Sequence, residues 1–427
     1  MALLLDISPL RASPAFRRLW WGLGISNLGS QLTIVAVGLQ VYEISSSTLS
    51  VGVLGICALI PLIALGLYGG ALLDAYDRRT VGLLSAIALF AVTAALAAQA
   101  WLDIDSVTLL YLLVGVQSAA FAINNPARTA IIPRLLEPRL LPAANVLTTT
   151  AWNIALTAGP LVGALLVAAF GFAAAYTVDM IMFTAAVWAL WRLPRLPPQR
   201  TPDHPERKRG LASVLEGLRY LATRSNVRMT FIVDLIAMIF AMPRVLFPAV
   251  GVVFLGGGAT TTGLLGAAFA AGAVLAGLFS GGLVGVRWQG LLIYLAIMVY
   301  GLSVAAFGVV LITVGPQNPA LVLVSGLVAA MIFLADAGGA DAVSAVFRQT
   351  ILQTATPDSM RGRLQGVFIV VVAGGPRLGD LVLGAEASWL SEGHAALAGG
   401  LTCVLLLTIV TLRQRRFLGY DARHPVP

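Results

Sequence analysis

Of 427 residues, 59% are apolar and only 11% carry a charge, whereas an ordinary soluble domain devotes roughly a quarter of its residues to charge. No water-soluble fold hides that much apolar surface, so the solvent for most of this chain is lipid. The formal charge of +8, from 27 bases against 19 acids, would point a soluble chain toward nucleic acid, but here position matters more than sum, and no nucleic-acid partner is expected.

Apolar runs long enough to cross a bilayer as helices are predicted at 19–42, 48–73, 80–101, 107–131, 143–169 and 174–193. Arg17 and Arg18 lead into the first run, which is too long for a cleaved signal and lacks a small-residue cleavage site. It reads as a retained anchor. Polar side chains inside these spans are the natural wall of a cavity, and Asn27, Gln31, Asn124 and Trp152, with Gln40, Asn125 and Asn153, are the candidates here. Helix packing is the competing role for each. After the second span comes GGALLDAYDRRT, with Gly70, Asp74, Asp77, Arg78 and Arg79. An acid at a helix end can bridge to bases on a neighbouring helix and hold one side of the protein shut. The fifth span carries ALTAGPLVGA. Its Gly159 and Gly163 permit close helix approach, and Pro160 introduces a kink, which suits a hinge.

Residues 194–227 form a polar connector. Its prolines and charges exclude a packed helix from the first half. In the second half, Leu211, Val214, Leu215, Leu218 and Leu221 share one face, as in an interfacial helix. Six further spans are predicted at 228–252, 261–284, 290–314, 319–346, 363–386 and 394–412. The expected organisation is a six-helix bundle over 1–193, the connector, and a second bundle with a tail over 228–427. With the N-terminus inside, 25 of the 27 bases fall on the cytoplasmic side and Arg244 and Arg377 fall within spans. Both termini are therefore expected in the cytoplasm.

The loop after the second span resembles the signature of the major facilitator superfamily, G-x-L-x-D-R-x-G-R-[KR], with Ala75 and Asp77 departing from it. The fifth-span Gly-Pro pair resembles that of proton-driven exporters. In the fourth span, drug antiporters usually place an Arg where this chain has Val114, so their coupling group is absent. Over nearly the whole chain, PAFRRLWWG, RVLFPAV and QTILQTATPDSMRGRLQG resemble bacterial siderophore exporters of the enterobactin exporter type, with macrolide and multidrug exporters alongside. The resemblance implies an all-α membrane protein of the major facilitator fold, about twelve spans in two six-helix bundles built from inverted triplets, and outward transport driven by the proton gradient.

Ionised residues at a helix centre cost about 2.5 to 3.5 kcal/mol on insertion scales, so they normally face a cavity or each other. Asp179, Asp234, Arg244, Asp336, Asp341, Arg377 and Asp380 fall within the predicted spans. Five acids against two bases leave three surplus negative charges unless some acids are protonated. Asp341 has no base three or four residues away, so it is the expected coupling acid, with Asp336 next. Arg377 stands one turn from Asp380 and can clamp it, while Asp380 is also the third candidate for proton coupling and Arg377 a candidate for the substrate cavity. Arg244 either pairs with an acid on another helix or reads an anionic group of the substrate. Asp179 and Asp234, about six residues from a predicted membrane face, are expected to be solvated or capping, and Glu43 and Glu386 to end spans. Cys57 and Cys403 read as small buried hydrophobes. The three histidines lie far apart in sequence, so no metal site is expected.

No phosphate-binding glycine loop and no nucleophile arrangement is present in the sequence, so neither an enzyme, an ATP-driven pump nor a cofactor is expected. The expected function is a secondary active, proton-coupled exporter of a small amphiphilic organic molecule, siderophore-like or drug-like. It is expected to work as a monomer in the bilayer of a bacterial inner membrane. The alternatives are a transporter-like sensor, an uptake permease and a lipid translocator.

Overall fold

The computed structural model describes residues 6–197, 211–278, 286–315 and 320–424, with backbone only for 67–75, 211–214, 320–323 and several residues between 358 and 373. The helices are α1 (Pro14–Ser45), α2 (Thr48–Ala75), α3 (Arg78–Trp101), α4 (Val107–Leu135), α5 (Leu141–Trp191), α6 (Leu211–Thr223), α7 (Ser225–Phe240), α8 (Gly258–Leu278), α9 (Gln289–Val314), α10 (Ala320–Thr354), α11 (Asp358–Leu390) and α12 (Glu392–Arg413). Among the described residues, ten helical segments are long and apolar enough to cross a membrane. One of them, Pro138–Trp191, has 54 residues, enough for two crossings at 1.5 Å per residue. It breaks at Gly171, where φ is 78°. That angle is cheap only for glycine, so this residue turns one apolar run into two spans. With α11, 33 residues long, the chain supplies about twelve crossings.

The helix starts follow local chemistry. The Ser13 hydroxyl accepts from the Phe16 amide at 3.2 Å just ahead of Pro14, which pairs an N-cap with a proline at the first helical position. Asp77 caps α3 through the Thr80 amide, and Ser106 caps α4 through the Leu109 amide.

The chain divides into two compact units. The first comprises residues 1–44 and 57–209, and the second 45–56 and 210–427. In the first, Phe16, Leu19, Ile131, Ala144, Leu147 and Leu190 form a buried core. In the second, Val227, Val233, Ile297, Tyr300, Ile351 and Leu364 do so. The tail returns to this core through buried Phe417 and Tyr420. Arg287 then grips Asp421 at 2.8 Å, and its hydrogen bond, with that of the Arg423 amide, holds the Asp421 carboxyl down at about 2.

Candidate functional site

The span predicted as one helix at 228–252 is broken. α7 ends at Phe240, Pro243–Leu246 forms a 3-10 turn, and Val250–Phe254 is wound as a π-helix. Proline at 243 and again at 248 removes donors that a continuous α-helix needs. The interrupted ladder is completed by a side chain from α9, because the buried Tyr300 hydroxyl donates to the Ala241 carbonyl at 2.9 Å. Broken membrane helices expose backbone and polar groups where a cavity needs them. Arg244 sits on the 3-10 turn and is exposed. Arg244 and, one turn away on α11, Arg377 both lie within electrostatic reach of Asp380. The one-turn Arg377–Asp380 pair is thus part of a three-residue group with one surplus positive charge.

A second group forms around Arg348. Its guanidinium bonds Asp234 of α7 through one nitrogen, and Asp341 of its own helix through the other at 3.3 Å. Arg348 and Asp234 are each 8% exposed at the side chain, and Asp341 28%. This corrects three expectations. Asp341 does have a local cation, two turns away on α10. Asp234 is buried and paired, not solvated. Arg348, assigned by position to a cytoplasmic loop, lies inside a helix. Tyr300 of α9 lies within electrostatic reach of Asp234, Asp341 and Arg348, and of Cys403 on α12. Asp336 stands apart from it, exposed, and accepts from the buried Ser303 hydroxyl at 2.6 Å. Gly338, between the two acids, meets the Phe269 carbonyl of α8 so closely that a methyl there would collide with it.

In the first unit a polar seam runs down α1. Ser26, Thr33 and Gln40 recur every seven residues and are 0%, 1% and 5% exposed. Arg128 of α4 donates to Asn27 at 3.1 Å and to Ser26 at 3.4 Å. Thr33 donates to Asp179 at 2.5 Å. Gln40 bonds Gln99 at 3.1 Å and receives the Tyr176 hydroxyl at 2.7 Å. Asp179 is wholly buried, which overturns its expected solvated or capping place, and Arg128 is a buried helix residue instead of a loop base. With Arg128 and Arg348 counted inside the spans, the surplus of negative charge falls from three to one. Asn124 is 0% exposed and ties α4 to α3 through Gly82 and Ser85 at 3.1 and 2.8 Å, so it lies in helix packing and not on an open wall. Gln31 is likewise buried, against Gly159. Trp152 and Asn27 are half-buried.

Of the loop signature, Arg78 donates to the Ala130 carbonyl at 3.3 Å, and Arg79 to those of Leu190 and Trp191 at 3.3 and 2.6 Å. The last carbonyls of a helix carry its negative pole, so Arg79 tethers the loop to the end of α5. Asp77 also receives the Leu196 amide at 2.6 Å, which fixes the start of the connector. The side chain of Asp74 lies outside the described residues, and Gly70 stands in the backbone-only end of α2. Gly159 and Gly163 pack on Gln31 and Leu32 of α1 so tightly that a methyl at either would meet the neighbouring helix. Pro160 follows within the same helix. His204 lies outside the described residues, and among those described no group of three metal-binding side chains occurs.

Residues 5–423 match the family model described as transmembrane secretion effector. The chain is 30% identical over 420 residues to the enterobactin exporter EntS of Shigella boydii serotype 18, covering 97% of this chain and 96% of the relative. The same figures hold for EntS of Escherichia coli O139:H28. Among solved structures it is similar to the nucleoside transporter NupG, with TM-score 0.70 at 13% identity over 94% of this chain and 99% of the other. It is also similar to a D-xylose-proton symporter, with TM-score 0.69 at 14% identity over 92% and 96%. At such identities the structures speak to the fold alone.

Proposed function

The chain belongs to the transmembrane secretion effector family of the major facilitator superfamily, and from that premise we propose that it is a proton-coupled antiporter exporting an amphiphilic organic molecule. The cargo is siderophore-like or drug-like, and the setting is a bacterial inner membrane. The full-length similarity to enterobactin exporters supports export. The placement of nearly all bases on one side of the spans supports cytoplasmic termini. The protein is proposed to work as a monomer.

The observation that carries the coupling is the Asp234–Arg348–Asp341 group. One guanidinium cannot neutralise two carboxylates, and uncompensated charge inside a membrane protein is costly. Asp341, the more exposed acid with the longer bond, takes the proton when Arg348 rests on Asp234, and releases it when Arg348 turns back. Asp336, bonded only to a hydroxyl among the described residues, is the next coupling candidate. Asp380, within electrostatic reach of two bases, orients Arg244 and Arg377. Those two leave a net positive charge beside a broken helix, which suits an anionic group on the substrate. Asn27, Trp152, Gln31 and Asn124 were the expected first-unit wall residues, and of these Asn27 and Trp152 keep open surface for contact. The Asp74–Arg78–Arg79 loop with Gly70, and the Gly159–Pro160 hinge, are proposed to gate the cytoplasmic side.

The test is Asp341→Asn in proteoliposomes. One proton moved through 100 mV is worth about 2.3 kcal/mol, enough for roughly a fifty-fold substrate gradient. The variant should lose accumulation against a gradient and keep downhill exchange within about twofold of wild type. A variant that still concentrates substrate removes Asp341 from the coupling step.

A further inference from the structure

We propose that a groove at the N-terminal end of α1, against α5, binds an anionic phospholipid. The groove holds about 310 Å³ and is lined by Arg17, Arg18, Trp21, Ile25, Ala185 and Trp188. Gly22 forms its floor, lying so close to Ala185 and Ala189 that a side chain there would force the two helices apart. The close approach of α1 to α5 at this point is therefore set by backbone contact. Two guanidinium groups are the charged part of the groove's lining, and no carboxylate lines it. Among the described residues neither arginine forms an ion pair, and the Arg18 Nε is buried without a hydrogen-bond partner.

The aromatic residues set the depth. Trp21 and Trp188 are 56% and 50% exposed, Trp20 packs edge-on against Trp21 at 4.9 Å, and Arg192 lies over the Trp191 ring at 5.4 Å. Exposed tryptophans beside arginines mark the level of the lipid headgroups. At that level the two free guanidinium groups meet phosphate oxygens, which they bind in forked geometry, and an acyl chain descends over Ile25 and Ala185. A zwitterionic headgroup brings its own cation and leaves the second arginine unsatisfied. Basic pockets between membrane helices on the basic side select anionic lipids for this reason. The groove lies on a different set of α1 residues from the polar seam at Ser26, Thr33 and Gln40, and the site does not depend on the coupling mechanism.

The experiment is native mass spectrometry of the full chain in neutral detergent. Dioleoyl phosphatidylglycerol is compared with dioleoyl phosphatidylcholine, and a third arm contains inorganic phosphate. Wild type should bind the phosphatidylglycerol about tenfold more tightly than the phosphatidylcholine. Arg17→Gln with Arg18→Gln should erase that preference, and Trp21→Ala should weaken both lipids. Phosphate should not displace the lipid. Equal binding of the two lipids by wild type, retained preference in the double variant, unchanged lipid binding by Trp21→Ala, or displacement by phosphate would each overturn the proposal.

Discussion

Asp341 and Arg348 stand seven residues apart, and seven residues turn a helix through about 700°, nearly two full turns. Their shared face was thus written in the sequence, but at a spacing that the usual three-or-four rule passes over. Asp234 was not legible in the same way, because its partner lies 114 residues away and only the fold joins them. The polar seam of α1 obeys the same seven-residue register, with Ser26, Thr33 and Gln40 all buried. Polar residues repeating every seven positions inside a span foretell a buried stripe, and Asp179 belongs to it through Thr33. Arg244 gives the prediction at this scale. It is exposed and shares Asp380 with Arg377, so Arg244→Ala should weaken binding of anionic substrates about tenfold, the scale of one charge-assisted hydrogen bond. Cationic substrates should be affected less. A competition assay with matched anionic and cationic compounds decides it, and equal losses would make Arg244 a structural residue.

The helices themselves were mostly legible in the sequence. Hydropathy alone located the spans, because lipid leaves few alternatives to a helix. It could not show where a span is broken, since the prolines at 243 and 248 also fit a continuous, kinked helix. Nor could it show that the second Gly of the loop signature gives way to Asp77 because that residue caps α3 and holds Leu196. Arg78 then binds the Ala130 carbonyl of α4, and Arg79 the end of α5, within the first unit. On this footing Arg78→Ala should reach the membrane in normal amount while turnover falls about tenfold, the loss of one charge-assisted bond at a moving joint. Quantitative blotting beside initial-rate transport separates the two effects. A normal rate would strip Arg78 of its gating role, and a loss of protein from the membrane would make it a folding residue.

For the molecule as a whole, two charge groups of opposite surplus lie in the second unit, with Asp234, Asp341 and Arg348 in one and Arg244, Arg377 and Asp380 in the other. The first unit supplies a seam whose only ionisable members among the described residues are Asp179, Tyr176 and Arg128. On the proposed reading, the positive group receives an anionic cargo and the negative group a proton, an exchange in which one leaves as the other enters. The most direct measurement follows protons. In vesicles reconstituted with the purified chain and acidified inside, addition to the outer medium of a compound the chain exports should release protons from the lumen, read as recovery of a quenched pH dye. Asp341→Asn should abolish that recovery. No substrate-dependent recovery in wild type, or further acidification on adding substrate, would contradict proton-coupled antiport.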